Sequence, residues 1–153
     1  MKKSNIKNDN IKYMIQYIEP TLVKEKDSTY RYVEDAKQVV DLMQDLQDST
    51  KEKFIAIMLT SRRRILCIEI VHIGSTTESI VSTQSAVRTA LLVNAKAIIY
   101  VHNHPSGESS PSVEDKNITI RLKHACDLLE IIMMDHIIIG DNNYFSFTEH
   151  GLL

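Results

Sequence analysis

Apolar positions recur along the chain with two different periods, and these periods predict its helices and strands. From Val33 to Leu46 the apolar residues follow one another at steps of three and four, which is typical of one face of an amphipathic helix. Two runs rich in β-branched residues come next, KFIAIMLT and ILCIEIVHIG, with a polar turn from Ser61 to Arg64 between them. This arrangement predicts an antiparallel hairpin.

The second half of the chain predicts alternating helices and strands. The segment STQSAVRTALLVNA indicates a helix capped by Ser82 or Thr83, and AIIYV indicates a strand that is buried on both faces. A longer helix is predicted from about Val113 to Leu129, followed by two strands, IIMMDHIIIG and NYFSF. The residues of that helix expected to face inward are Ile118, Leu122, Ala125, Leu128 and Leu129. The order predicts a mixed β-sheet with flanking helices, an α/β fold with α+β layering.

The N-terminal part of the chain differs from the rest. Residues 1–10 are polar and indicate a frayed tail, whereas the partial alternation from Ile11 to Lys24 favours an extended arm or edge strand. We therefore divide the chain into a tail and arm over residues 1–30 and one domain over residues 31–153. A chain of 153 residues with 43% apolar residues suffices for one well-cored domain.

Composition excludes several classes of protein. No apolar run approaches the roughly 18 residues that a membrane span needs, and no signal-peptide core is present, so we expect a cytoplasmic protein without a membrane partner. Cys67 and Cys126 lack the paired spacing of a zinc knuckle and are interpreted as buried thiols. The formal net charge of -2 argues against a surface built for phosphate binding. The triple arginine, Arg62 to Arg64, is interpreted as a solvated hairpin tip rather than a nucleic-acid contact.

The candidate chemistry lies in the stretch AIIYVHNHPSGESSPSVED, which ends at Asp115. His102 and His104 would share one face of an extended chain, about 7 Å apart at their β-carbons, so both imidazoles can reach one ion. Zinc in a catalytic site takes three protein ligands and keeps a fourth position open. Asp115 is the natural third candidate, because a loop marked by proline and glycine can bring the next helix back beside the strand end.

The same residues also have structural explanations. Ser112-Val113-Glu114-Asp115 fits a capping box, with Ser112 as the N-cap and Asp115 three positions later. The two interpretations are compatible, since a cap can fix a carboxylate that points at a metal. Asp135-His136, on a later predicted strand, is left open between a group that orients a metal ligand and a satisfied core histidine.

The spacing of His102, His104, Ser112 and Asp115 resembles the H-x-H-x7-S-x-x-D signature of the JAMM metalloproteases. More closely, HNHPSG with PS-x-x-D, the later DHIIIG and the run that starts at Glu52 resemble the RadC family, from about Tyr32 to the end of the chain. The resemblance implies a JAMM-like, cytidine-deaminase-like architecture. It also implies one Zn²⁺ held by the two histidines and the aspartate.

The resemblance further implies an activity. JAMM enzymes hydrolyse peptide or isopeptide bonds, with a glutamate as general base and the motif serine supporting the oxyanion. Glu52, directly before the strand KFIAIMLT, matches the first role, and Ser112 matches the second. On this resemblance we expect a zinc-dependent hydrolase of a peptide or protein substrate.

Two other hypotheses remain open. A DNA-repair or mobile-element-associated factor of the RadC type would act on or beside nucleic acid, with Arg62 to Arg64 as the contact. The acidic balance, the absence of tryptophan and the lack of a recognisable binding motif count against it. Longer RadC proteins carry an N-terminal helix-hairpin-helix region, which residues 1–30 are too few to supply. A non-catalytic binding module is the other hypothesis, and a homodimer through exposed strand edges is left open.

Overall fold

The computed structural model describes residues 32–74 and 81–153, so the predicted tail and arm lie outside the described residues. The elements follow one another in the predicted order of helices and strands. They are α1 (Ala36–Leu42), β1 (Glu52–Leu59), β2 (Ile65–Gly74), α2 (Thr83–Leu92), β3 (Ala97–Asn103), α3 (Val113–Leu128), β4 (Ile132–Ile139) and β5 (Tyr144–Ser146), with a 3-10 turn at Gln44–Leu46 after α1.

The five strands form one mixed sheet in the order β2-β1-β3-β4-β5. β1 pairs antiparallel with both β2 and β3, and β4 pairs antiparallel with β5. β3 and β4 are parallel, and α3 provides the crossover that such a pair requires. The predicted hairpin and the predicted fold class, a mixed sheet with flanking helices, are confirmed.

The sheet separates two hydrophobic cores. Its central strand, β3, lies between them, and each residue of β3 is buried. Because successive side chains of a strand point to opposite faces, β1 and β3 supply apolar residues to both. On one face, α2 and α3 cover a core that includes Phe54, Ala56, Met58, Ile98 and Tyr100. We call this the α2/α3 face. On the other face, α1 covers a core that includes Ile55, Ile57, Leu59, Ile99 and Val101.

Helix α1 is shorter than the predicted Val33 to Leu46. The Asp35 side chain accepts a hydrogen bond from the backbone N–H of Gln38 (2.8 Å) and so caps the helix after Val33. Val33 instead donates its N–H to the carbonyl of Arg63 at the hairpin tip (3.0 Å), and the α-helix ends at the Met43 cap. The predicted apolar face is nevertheless inward, with Val33, Ala36, Val39, Val40 and Leu46 all buried.

Helix α3 corrects one predicted core residue. Leu128 was expected to face inward, but it is 85% exposed. At about 100° per residue it lies about 200° round the helix from the buried Cys126, on the solvent side. Cys126 and Thr119 are buried on the inward side of α3, and Cys67 is half-buried; both cysteines are free thiols.

Two further features concern the surface. The turn at residues 61–64 is the tip of the β1–β2 hairpin, and Arg62 and Arg63 are exposed there, as the interpretation of a hairpin tip requires. Among the helices in the described parts of the chain, none combines the length and apolar character needed to cross a bilayer.

The turn after β4 allows a prediction about stability. A β-carbon on Gly140 would collide with the carbonyl of Gly107 and would lie 2.9 Å from the backbone nitrogen of Ser109. We expect Gly140→Ala to lower the free energy of unfolding by about 1–3 kcal/mol, because backbone atoms cannot move aside cheaply. Urea denaturation of the purified protein measures this. Ser110→Ala, at an exposed position of the loop between β3 and α3, should stay within about 0.5 kcal/mol of the parent protein, and equal losses for the two variants would contradict the prediction.

Candidate metal centre

The two histidines lie where the end of β3 faces the start of α3. Phe54 pairs with His102 across the β1–β3 ladder, which places His102 on the α2/α3 face. His104 follows the strand, and its N–H donates to the carbonyl of Ile139 at the end of β4 (3.0 Å). The predicted return of the loop to the strand end is therefore present, at the carboxyl end of the parallel strands, where binding sites are common.

Three side chains converge at this point. Nε2 of His102 and Nε2 of His104 are 3.0 Å apart. Oδ1 of Asp115 lies 3.1 Å from Nε2 of His102, and its Oδ2 lies 3.3 Å from Nε2 of His104. Ligand atoms about 2.0–2.1 Å from a tetrahedral ion are separated by about 3.3 Å, so the three residues could hold a metal ion. The structure thus brings together all three residues predicted as ligands.

The capping box at the start of α3 holds the carboxylate of Asp115. Oγ of Ser112 accepts the N–H of Asp115 (3.0 Å), and the backbone N–H of Ser112 donates to Oδ2 of Asp115 (2.8 Å). The Ser112 hydroxyl also donates to Oδ2 (2.6 Å). Both interpretations of Ser112-x-x-Asp115 therefore hold at once, since the capping carboxylate also contacts the two imidazoles.

His136 lies directly behind His102. Its Nε2 is 2.9 Å from Nδ1 of His102, and its Nδ1 is 2.6 Å from Oγ1 of Thr119. The Phe147 ring stacks on the His136 ring (centroids 5.1 Å apart), and the Phe54 ring packs at a tilt (5.4 Å). Burial lowers the pKa of His136 well below its ordinary value, so the ring is neutral. This geometry agrees with both alternatives left open for His136, a satisfied core histidine and a group that orients a candidate ligand.

Asp135 belongs to a different network. Its carboxylate accepts hydrogen bonds from the Ser146 hydroxyl, from the N–H of Thr148 (3.0 Å) and from the N–H of His136 (2.8 Å). These contacts hold the chain after β5 against β4. Asp135 therefore has a structural position, while its neighbour His136 contacts the candidate metal centre.

Glu52 is brought to the same end of the sheet. It stands two residues before Phe54, the partner of His102, and so shares the side of β1 that faces the histidines. The side chain is half-buried, and its negative charge is one of the influences that raise the pKa of His104. The position implied for Glu52 by the resemblance is thus compatible with contact to a substrate at the candidate metal centre.

The pKa shifts of the cluster follow from its geometry. Burial alone would raise the pKa of Asp115, but hydrogen bonds with His102 and His104 outweigh it and hold the Asp115 pKa far below its ordinary value. The hydrogen bond with Asp115 raises the pKa of His104 above its ordinary value, against the opposing effect of burial. The carboxylate is therefore ionised, and a proton competes with a metal ion for His104.

Comparison with known proteins agrees with this geometry. Residues 33–152 match the family model described as a RadC-like JAB domain. The chain belongs to this family. The RadC-like JAB domain covers nearly all of the residues that the structure describes.

The relatives of this RadC-like JAB domain include proteins named UPF0758. One from Chlorobaculum parvum is 40% identical over 124 residues, covering 80% of this chain and 56% of that protein. One from Trichlorobacter lovleyi is 45% identical over 117 residues (76% and 51%), and one from Methanosarcina mazei is 41% identical over 124 residues (80% and 54%). The chain therefore spans about half the length of the curated relatives that it matches.

Sequence reasoning missed two residues of the RadC-like JAB domain site. Asn103 is buried between the histidines; its Oδ1 accepts the N–H of Lys53 (2.9 Å), and its Nδ2 donates to the carbonyl of Lys51 (3.2 Å). These two hydrogen bonds hold the backbone on both sides of Glu52. Thr119, one turn after Asp115 on α3, contacts His136. The sequence held a signal for each of them. Asn103 is a polar residue at the end of an apolar strand, and Thr119 stands four positions after the candidate ligand Asp115.

The raised pKa of His104 predicts how metal affinity depends on pH. An imidazole must be neutral to bind a metal ion, so protons compete with it. Because the His104 pKa lies above the ordinary 6.5, the affinity for Zn²⁺ should begin to fall at a pH above 6.5 as the pH is lowered. At pH values below the His104 pKa, the affinity should approach a loss of about tenfold per pH unit. Zn²⁺ titrations between pH 8 and pH 6 measure the slope.

The matched control for this titration is His124→Ala, which removes an exposed histidine of α3 away from the candidate metal centre. This variant should reproduce the affinity and the pH slope of the parent protein. A Zn²⁺ affinity that does not change between pH 8 and pH 6 would contradict the prediction.

Proposed function

We propose that this domain is a zinc-dependent hydrolase that cleaves a peptide or isopeptide bond. The observation that carries the proposal is the convergence of two imidazole nitrogens and one carboxylate within 3.0–3.3 Å of one another, with Glu52 at the same end of the sheet. Family membership supports the fold and the position of the site. The bond cleaved is the one that the resemblance to the JAMM metalloproteases implies.

The donor set fits a divalent cation. Nδ1 of His104 is 2.7 Å from the carbonyl oxygen of Glu108, which can only accept, so the N–H is on Nδ1 and the lone pair of neutral His104 is on Nε2. That lone pair faces His102 and an ionised carboxylate, an arrangement that favours a positive charge between them. When bound by His102, His104 and Asp115, Zn²⁺ would supply Lewis-acid activation of water and of the scissile carbonyl.

Glu52 is proposed as the general base. Its carboxylate accepts a proton from the attacking water and then passes this proton to the leaving nitrogen, so one water is added and one C–N bond is broken. Asn103 holds the backbone at Lys51 and Lys53 and so fixes where the Glu52 side chain starts. General bases of this kind contribute about 10²–10⁴ to the rate.

Ser112 is proposed to assist at the oxyanion. In the structure its hydroxyl donates to Oδ2 of Asp115, so this role requires the O–H to turn toward the substrate. The backbone N–H of Ser112 can still hold the carboxylate while the hydroxyl turns (2.8 Å). Loss of one oxyanion donor in other hydrolases costs about 2.7–4 kcal/mol of transition-state stabilisation.

The hypothesis of action on nucleic acid gains no support from the position of the arginines. Arg62 and Arg63 lie in the turn after the carboxyl end of β1, whereas Glu52 begins that strand. The eight residues of β1 span about 25 Å, so the arginine side chains at the hairpin tip cannot contact a phosphate bound at the candidate metal centre itself. A peptide or protein substrate is therefore the preferred hypothesis.

The first test of the proposal separates metal binding from catalysis. Purified parent protein should contain about one Zn²⁺ per chain and hydrolyse members of a peptide and isopeptide library. Glu52→Gln should keep the metal and lose activity about 10²–10⁴-fold, because it removes only the base. His104→Ala should lose both. Metal analysis and turnover assays measure the two properties.

Two results would contradict the proposal. Equal, near-zero metal content in the parent protein and in His104→Ala would favour a binding module without a metal. Metal bound by the parent protein without turnover of any peptide or isopeptide would exclude the proposed reaction while leaving the site intact.

A second test concerns the hydrogen bonds between Asn103 and the backbone on either side of Glu52. We expect Asn103→Ala to lower kcat at least tenfold with metal content unchanged, because Glu52 loses its fixed backbone. Kinetics below the thermal transition, together with metal analysis, measure this. Asn117→Ala, the same substitution at an exposed site on α3, should leave kcat unchanged. Unchanged kcat in Asn103→Ala would show that Glu52 does not depend on this contact.

A further inference from the structure

A chain of hydrogen bonds runs behind the candidate metal centre, from the backbone carbonyl of Asp115 through Thr119 and His136 to His102. Oγ1 of Thr119 donates to the backbone carbonyl of Asp115 (2.6 Å). A threonine hydroxyl has one proton, so the same oxygen can offer only lone pairs to Nδ1 of His136, 2.6 Å away. The proton of this contact therefore belongs to His136, and Nδ1–H donates to Thr119.

The direction of the next bond follows from the first. A neutral imidazole carries one N–H, so His136 with its proton on Nδ1 has a lone pair on Nε2. Nδ1 of His102, 2.9 Å away, must then donate to Nε2 of His136. Neutral His102 in turn has its lone pair on Nε2, which is the atom that faces His104 and Asp115.

The surroundings keep this arrangement from reversing by ring rotation. His102 and His136 are both fully buried. The ring of Phe54 stacks on that of His102 (centroids 5.8 Å apart), and Phe147 stacks on the ring of His136 (5.1 Å). A flipped ring would lose its hydrogen-bond partner in a region with no room for another.

We propose that Thr119 and His136 are positioning residues that set the tautomer of His102 and so present its Nε2 unprotonated to the ion. The inference deepens the proposed function, since it rests on His102 being a metal ligand. The chain of hydrogen bonds starts at the backbone carbonyl of Asp115, which accepts from Thr119, and the carboxylate of the same residue completes the candidate ligand set. The orientation of His102 and the position of the first turn of α3 are thereby coupled.

The test replaces the Thr119 hydroxyl, which determines the direction of the hydrogen bonds between His102, His136 and Thr119. Thr119→Val removes the acceptor for Nδ1–H of His136, so the His136 proton moves to Nε2 and the His102 proton moves from Nδ1 to Nε2. In ion-free, ¹⁵N-labelled protein, the ring nitrogen shifts of His102 should report this exchange. Zn²⁺ affinity should fall about 10–100-fold, the usual effect of losing a group that orients a ligand.

Two variants serve as controls. Thr119→Ser keeps the hydroxyl and should restore both the tautomer and the Zn²⁺ affinity, which a loss of packing alone would not explain. Ser146→Ala removes another buried hydroxyl, the one that bonds Asp135, and should change neither.

The outcomes that overturn the inference are distinct from those that overturn the proposed function. Thr119→Val with the parent tautomer and the parent affinity would overturn it. Should Thr119→Val fail to fold, the ion-free parent protein decides, because a His102 ring without a proton on Nδ1 there would also overturn it. Zn²⁺ binding that depends on Thr119, without turnover of any substrate, would uphold the inference and refute the hydrolase.

Discussion

The contact between the Asp115 carboxylate and the two imidazoles is the interaction on which the rest of the site depends. It joins the first turn of α3 to the end of β3, and the Asp115 side chain is only 5% exposed. Burying a carboxylate costs several kcal/mol unless partners replace its water. Here the backbone N–H and the hydroxyl of Ser112 donate to one carboxylate oxygen, and the two imidazoles lie within 3.1–3.3 Å of the carboxylate on its other side. An ion would add the positive charge that this arrangement favours.

The position of the site follows from the central place of β3. Since side chains alternate along a strand, consecutive residues of one short segment serve different purposes. His102 turns to the α2/α3 face and meets Asp115 and His136, whereas Asn103 reaches the backbone of β1 on either side of Glu52. One tripeptide thus supplies two candidate ligands for an ion and the hydrogen bonds that hold the backbone beside the proposed base.

Local patterns allowed much of this to be predicted from the sequence. The capping spacing predicted where Asp115 would stand, because a helix start is determined by a few neighbouring residues. The contact between His102 and His136 could only be suggested, since it depends on how β3 and β4 pair across the crossover. The start of α1 was missed for a similar reason: Val33 bonds to the distant Arg63 instead of joining the helix. The error at Leu128 came from the rotation of α3, which the sparse apolar pattern defined poorly.

The three candidate ligands are unequally open to solvent. The His102 side chain is fully enclosed, while 17% of the His104 side chain is exposed. This gives the centre a direction of approach: an ion would meet His104 first, and a chelator would have to enter by the same side. The loop that carries Glu108, whose carbonyl contacts the His104 ring, therefore borders the open side of the candidate metal centre.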